Sequence, residues 1–282
     1  MNLLLDFDGV LFDSSWEVTA IILLTYTNFP DSNIYKYLKS SNTIRIFENI
    51  GKYSPEHAFL ILQNENKKIN NYFRKFRTYC IDVDDFFVVS SLLDNNFFDL
   101  HNLTYKRIND DFYYNYKRKL ITNNNENLKK FINLFYESRR YIKENNEEFW
   151  IKLNKPFEEE INFLLQIYNY HNIGILSTKQ KYAIISILRY YNIPIENDKI
   201  FAKENDFIHK GKKIKEIANL WSVKEEEINF VDDLIENLLK VKQYAPKVNL
   251  FISAWGYNNY NHRNLAKKNG IKVINSLKEL FK

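Results

Sequence analysis

Short apolar runs alternate with amphipathic stretches in two separated parts of the chain. Asn2 to Leu5 is a brief apolar run that stops at acidic Asp6, the form expected of a strand buried on both faces of a parallel sheet. Beyond residue 155 the same grammar repeats. Asn172 to Leu176, Lys199 to Ala202, Ile228 to Val231, Val248 to Ile252 and Lys272 to Ile274 read as strands. Helical patterns fall between them at Phe157 to Tyr170, Lys181 to Tyr191, Lys210 to Trp221, Leu234 to Gln243, Asn261 to Lys268 and Ser276 to Phe281. Alternation of this kind predicts βαβ units and an open, doubly wound, Rossmann-like parallel sheet with helices on both faces.

Between Asp13 and Asn154 the pattern changes to long amphipathic stretches rich in Phe, Tyr and Lys, and no strand series stands out. Leu128, Phe131, Ile132, Phe135 and Ile142 recur at helical spacing, with charged residues at other positions. The expected organisation is a core from 1–13 and 155–282 with a mostly α-helical domain, 14–154, inserted into it. Hinges are expected near Ser14-Ser15 and Leu153 to Pro156, with Pro156 in the first turn of the helix that re-enters the core and Glu158 to Glu160 at its positive end.

Composition narrows the class. The 282 residues are 45% hydrophobic and include 22 Phe, 20 Tyr and 4 Trp, which supplies a core and excludes a disordered chain. A lone cysteine, Cys80, permits neither an intramolecular disulfide nor a cysteine-based zinc site, and suits a reducing, cytoplasmic setting. MNLLLDFDGV reads as neither a secretory signal nor a targeting helix, and the longest apolar stretch, Val18 to Leu24, is far short of the ~20 residues of a membrane span. The net charge of +5 is a mild excess, better explained by biased residue usage than by polyanion binding.

Four elements carry chemistry. In Asp6-Phe7-Asp8-Gly9-Val10, two carboxylates at i and i+2 follow a buried strand, which aims both into the crevice where ligands bind open α/β sheets. Gly9 lets the chain turn sharply there. Asp232-Asp233 follow a second apolar strand, and two acidic strand ends can converge on a hard cation; oxygen ligands without His or Cys indicate Mg²⁺, although adjacent acids can also merely cap a helix. In Ile173 to Lys179 a strand runs into Ser177 and Thr178, hydroxyls that could donate to a phosphoryl oxygen or serve as ordinary caps. Lys210 opens a helix against its macrodipole, so an anionic partner explains it better than helix stability does.

Taken in order, these elements resemble the haloacid dehalogenase superfamily of phosphotransferases. DFDGVLFDS looks like the first family motif, ILSTK the second, the Lys210 segment the third and FVDDLIEN the fourth. Pro156-Phe157 and Ala254-Trp255-Gly256-Tyr257-Asn258 are similar to the phosphoglycolate-phosphatase-like branch. The resemblance implies that the helical insert is a cap over the active site. It implies Asp6 as nucleophile, Asp8 as general acid/base, Ser177 and Lys210 on the phosphoryl group, and Asp233 on Mg²⁺ with Asp6 and the Asp8 backbone carbonyl. Asp232 stands where many members have Gly and Asn237 where many have a second Asp; Asp232 is counted among the expected metal ligands, and the resemblance leaves open which of Asp232, Asp233 and Asn237 touch the ion directly.

The expected function is a Mg²⁺-dependent phosphatase that hydrolyses a small phosphorylated metabolite through an aspartyl-phosphate. A phosphomutase acting on a sugar phosphate is an alternative in the same class. A nucleic-acid or polyanion binder, with 3′-phosphatase action, is an alternative from another class. It would use Tyr105, Phe112, Tyr113, Tyr114 and Tyr116, which interleave with Lys106, Arg107, Lys117, Arg118 and Lys119 as in single-strand platforms. Cap core plus solvated face is the preferred reading of that stretch. Asp82-Val83-Asp84-Asp85 imitates the first motif but lacks a buried strand before it and is expected to be a cap loop. His57, His101, His171, His209 and His262 show no paired spacing for a histidine metal site.

Overall fold

The computed structural model describes residues 1–95, 110–203 and 209–281. His101 and the Tyr105, Lys106 and Arg107 portion of the basic aromatic stretch lie outside the described residues. In chain order the elements are β1 (Asn2–Leu5), β2 (Phe12–Asp13), α1 (Ser15–Tyr26), α2 (Asn33–Lys39), α3 (Asn42–Glu48), α4 (Pro55–Phe76), α5 (Val83–Asn95), α6 (Asp110–Asn123), α7 (Asn125–Asn145), α8 (Glu147–Lys152), β3 (Lys155–Pro156), α9 (Glu158–Ile167), β4 (Asn172–Gln180), α10 (Lys181–Tyr190), β5 (Ile200–Lys203), α11 (Lys210–Leu220), β6 (Ile228–Asp232), α12 (Ile235–Tyr244), β7 (Asn249–Ser253), α13 (Tyr260–Lys268) and β8 (Lys272–Ile274). The chain divides into two compact units, Met1–Ser14 with Asn154–Lys282, and Ser15–Leu153.

The first unit is the doubly wound α/β domain. Its six strands run in the order β5-β4-β1-β6-β7-β8, and every neighbouring pair is parallel. Leu3, Leu4 and Leu5 are fully buried, which is why β1 is an unbroken apolar run. Leu4, Leu176, Phe230, Leu250 and Ile252 pack with Ile214, Ile217, Leu238, Val241 and Ala266 of α11, α12 and α13. The strand order reverses beside β1, so its carboxyl end is the switch point where such sheets bind ligands. Leu5 pairs with Ile175 on one side and Val231 on the other, which sets Asp6 level with the start of both neighbouring strand ends.

Several boundaries differ from the sequence expectation. Pro156 is not in a helical first turn: it pairs with Phe12 in a two-stranded antiparallel ribbon, and α9 starts at Glu158 with Phe157 as its N-cap. Extended backbone suits the fixed φ of proline, and the Phe157 N–H instead donates to the Leu11 carbonyl at 2.9 Å. β4 does not stop at Leu176 but continues to Gln180 through a register irregularity, held by the pairing of Gln180 with Lys203. The last segment, Leu277–Phe281, is a 3₁₀-helix of five residues, too short for the expected α-helix to repeat its hydrogen bonds. Among the described residues no helix is long and apolar enough to cross a membrane.

The second unit is helical, with no strand among its described residues. On α7 the buried positions are Leu128, Phe131, Phe135, Ser138 and Ile142, whereas Ile132 is only half-buried. The buried carboxylate of Glu17, on α1, accepts from Arg139 Nε at 2.9 Å, Arg139 Nη2 at 2.8 Å and Trp150 Nε1 at 2.8 Å. Asp84 and Asp85 occupy the first turn of α5 rather than a loop. Asp85 caps the backbone N–H groups of Ile81 and Asp82, and accepts from Tyr113 Oη at 2.7 Å and Lys117 Nζ at 2.6 Å. Acidic residues are favoured at that helix end, which is what the imitation of a catalytic motif amounts to. Tyr113 is fully buried and stacked on Tyr79, while Phe112 and Tyr114 are exposed.

Candidate functional site

The chain leaves β1 at Asp6, whose backbone N–H still donates to the Val231 carbonyl at 2.9 Å. It then closes a tight loop in which Leu11 and Phe12 both donate to the Phe7 carbonyl and Gly9 donates to the Phe12 carbonyl. Gly9 adopts φ +82°, and a Cβ there would sit 2.2 Å from Asp233 Oδ2. Glycine is thus required twice over, for its backbone conformation and for the close approach of Asp233. Gly256 closes the opposite wall: a Cβ on it would meet Asp233 Cβ at 2.3 Å and the Gly9 carbonyl oxygen at 2.4 Å.

Three carboxylates converge in this space. Oxygens of Asp6, Asp232 and Asp233 all lie within 4.8 Å of one another, and all three residues are buried. Lys210 projects from the first turn of α11, where His209 caps the helix by accepting from Lys212 N. Its buried ammonium lies 2.8 Å from Asp6 Oδ2 and 2.6 Å from Asp232 Oδ2, the anionic partners that its place at a helix start called for. Asp232 also accepts from Leu234 N at 2.9 Å and from Asn237 Nδ2 at 3.2 Å, so Asn237 orients Asp232. Asp233 is held by Tyr257 N at 2.8 Å, and Asn258 Nδ2 donates to its carbonyl at 3.2 Å.

Burial pushes the Asp6 carboxyl up to about 6; the Lys210 ammonium opposes that rise and the Asp232 carboxylate adds to it. Burial works against the Lys210 ammonium, but Asp232 and Asp6 outweigh it and hold its pKa above the ordinary lysine value. The group stays cationic. An all-oxygen donor set of three carboxylates fits a hard divalent cation such as Mg²⁺, with Asp6, Asp232 and Asp233 as the side chains able to hold it.

Asp8 stands apart from these three. Its carboxylate is turned to Lys179 on the extension of β4, with Lys179 Nζ 3.2 Å from Oδ1 and 3.5 Å from Oδ2. The same ammonium donates to Asn154 Oδ1 at 3.1 Å. Ser177 is buried within β4, in the stretch where its register shifts, and its Oγ accepts from Lys179 N at 3.3 Å. Lys179 and Asn154 are site residues that the sequence motifs did not single out. The available signal was a lysine two positions beyond a hydroxyl at a strand end. Tyr257 was quoted only for its segment; its backbone N–H donates to Asp233, and its hydroxyl donates to Asp13 Oδ1 at 2.8 Å and accepts from Ser14 N at 2.7 Å.

A parallel α/β unit with an acid and lysine centre at its switch point, interrupted by a helical unit after the first strand, defines a class of protein rather than one activity. No family model and no curated protein sequence matches the chain. Solved structures do. The chain is similar to a haloacid dehalogenase-like family hydrolase from Streptococcus pneumoniae, at 14% identity and a TM-score of 0.58 over 99% of this chain and 96% of that one. It is also similar to a predicted phosphatase from Clostridium acetobutylicum, at 14% identity and 0.51 over 99% and 95%. A predicted phosphoglycolate phosphatase from Haemophilus somnus matches at 12% identity and 0.51 over 99% and 96%. At these identities the likeness establishes the fold, and the resemblance read from the motifs holds at that level.

Proposed function

We propose that the protein is a phosphatase that hydrolyses a small phosphomonoester with the help of Mg²⁺, through an aspartyl-phosphate on Asp6. The observation that carries this reading is the convergence of Asp6, Lys210, Asp232 and Asp233, contributed by separate elements, on one buried centre at the carboxyl end of β1. The named activities of the structural neighbours are consistent with it. The helical unit Ser15–Leu153 takes the part of the cap in this reading, supported by its insertion between the first and second motifs.

Attack of a carboxylate on a phosphate ester brings two anions together, so positive charge must be in place beforehand. The Lys210 ammonium supplies one charge, fixed by two carboxylates. Mg²⁺ bound by Asp6, Asp232, Asp233 and the Asp8 backbone carbonyl would supply the rest, as a Lewis acid on the phosphoryl oxygens. The Ser177 hydroxyl, whose oxygen accepts from Lys179 N, keeps its hydrogen to donate to a phosphoryl oxygen. Asp8 protonates the departing oxygen and then takes a proton from the attacking water.

The test is phosphate release from a panel of sugar phosphates, nucleotides, phosphoglycolate and 3′-phosphorylated oligonucleotides. Chelation should abolish release and Mg²⁺ should restore it. Asp6→Asn should cost at least ~10³-fold in rate, the scale expected for loss of a covalent catalyst. Full activity in excess chelator, or in Asp6→Asn, overturns the reading.

A further inference from the structure

Lys179 is almost fully buried, and a buried ammonium persists in a fold only where it is paired and hydrogen-bonded. Its polar contacts are shared among groups that this site reading uses. At one end its backbone N–H fixes the lone pair of Ser177 Oγ; at the other its Nζ bonds both oxygens of Asp8 and the oxygen of buried Asn154. The ammonium also lies 5.8 Å from the centre of the Phe7 ring, between Asp6 and Asp8 in the chain. Lys210, in contrast, contacts Asp6 and Asp232. The two lysines therefore divide the work: Lys210 is paired with the acidic centre and Lys179 with Asp8.

Asp8 needs such a partner. Its carboxylate is 19% exposed and sits on a tight loop, where an unrestrained Asp would sample several rotamers. A proton donor or acceptor works only when held within hydrogen-bond reach of the reacting oxygen. We propose that Lys179 is a positioning residue that fixes Asp8 in its proton-transfer orientation, with Asn154 anchoring the lysine. The proposal rests on the phosphatase reading. In the first half of that reaction the Asp6 carboxylate forms an O–P bond while the ester P–O bond breaks, and the departing oxygen takes the electron pair and the Asp8 proton. In the second half water forms the new P–O bond, its proton passes to Asp8, and the Asp6–phosphorus bond breaks to restore the carboxylate. The sum is ester plus water giving alcohol plus phosphate.

A positioning residue that acts through Asp8 makes a specific demand on a double-mutant cycle. Lys179→Met should slow turnover of glycerol phosphate by about 10- to 100-fold, less than the roughly 10²- to 10⁴-fold expected of Asp8→Asn. Adding Lys179→Met to Asp8→Asn should cost nothing further, because the group it positions is already gone. With p-nitrophenyl phosphate, whose phenolate departs without a proton, Lys179→Met should keep a stoichiometric burst of nitrophenol and slow only the later release of phosphate. Lys179→Arg should recover part of the loss. Should Lys179→Met fail to fold, Lys179→Gln runs the same cycle.

Effects of Lys179→Met and Asp8→Asn that multiply in the cycle, or a burst slowed as much as steady turnover, overturn the proposal. So does a Lys179→Met enzyme as fast as the parent on glycerol phosphate. Those outcomes differ from failure of the phosphatase reading itself, in which the parent protein releases no phosphate from either ester and Asp6→Asn changes nothing.

Discussion

The raised pKa of Asp6 makes the affinity for Mg²⁺ depend on pH in a range where an ordinary aspartate would be silent. Burial moves this carboxyl from 3.8 to about 6, and the cation must compete with the proton for it. For one competing proton the apparent dissociation constant scales as 1 + [H⁺]/Ka, which gives a factor near 1 at pH 8 and about 11 at pH 5. With the unperturbed value the factor at pH 5 would be only about 1.06. Mg²⁺ binding should therefore weaken about tenfold between pH 8 and pH 5, and near pH 6 it should release about half a proton. Isothermal titration without substrate, repeated in buffers of different ionisation enthalpy, measures both quantities. The stability side has a definite sign. Because the folded-state pKa is raised, the contribution of Asp6 to stability is fully present below about pH 3.8 and is lost as pH rises through about 6, a difference of about 3 kcal/mol. Mg²⁺ should accordingly raise the melting temperature more at pH 8 than at pH 5. An affinity that stays flat over this range would refute the assignment of a buried, proton-competing Asp6 to the cation site.

Gly256→Ala forces a methyl group against Asp233 Cβ and the Gly9 carbonyl, so it should cost about 1–3 kcal/mol in urea unfolding and weaken Mg²⁺ binding together. Arg139→Met leaves the buried Glu17 carboxylate with the Trp150 N–H but without its charged partner. Urea unfolding should show a loss of about 3 kcal/mol, only partly recovered by Lys at that position, which cannot reproduce the two-pronged contact. Asp82→Asn should leave phosphatase rates within about twofold, whereas Asp85→Ala should lower stability by about 1–3 kcal/mol by stranding the buried Tyr113 hydroxyl.

Much of the α/β unit was legible because strands buried on both faces must be apolar throughout. β1 and β8 end where the pattern ends, and the others are displaced by only a residue or so except where backbone pairing overrides composition. That happens at Ser177 to Gln180, a polar stretch that reads as a loop but stays extended because Gln180 pairs with Lys203. Pro156 was misplaced for a related reason: its fixed φ suits a helix start and an edge ribbon equally, and only the approach of Phe12, far away in sequence, decides between them. In the helical unit, α4 breaks its helical dihedrals at buried Asn66, whose side-chain Nδ2 donates to Thr43 Oγ1 at 2.7 Å and to the Leu62 carbonyl at 3.0 Å. Asp6, Asp8, Asp232 and Lys210 stood out because charges at the ends of apolar strands and at a helix start are locally anomalous. Asn154 carries no such local mark and Lys179 only its place two positions beyond Ser177, since their meaning lies in contacts made across the fold, Lys179 with Asp8 and Asn154 with Lys179.

The charges of the site fall into two groups with different needs. Lys179 and Asp8 form a pair that is neutral by itself and partly open to solvent at the carboxylate, so it can persist without any added ion. The centre differs. Three buried carboxylates, Asp6, Asp232 and Asp233, converge there, and Lys210 pairs with Asp6 and Asp232. Crowding carboxylates in a buried space is costly, so the site gains from lowering its negative charge. It has two ways to do so. Protonation of Asp6 is the first, and its raised pKa makes it easier, but a protonated carboxyl cannot act as a nucleophile. A divalent cation held by Asp6, Asp232 and Asp233 would be the second, and would favour the ionised form of Asp6. In the proposed phosphatase, the arrangement that relieves the buried charge is thus the one that would leave Asp6 ready to attack.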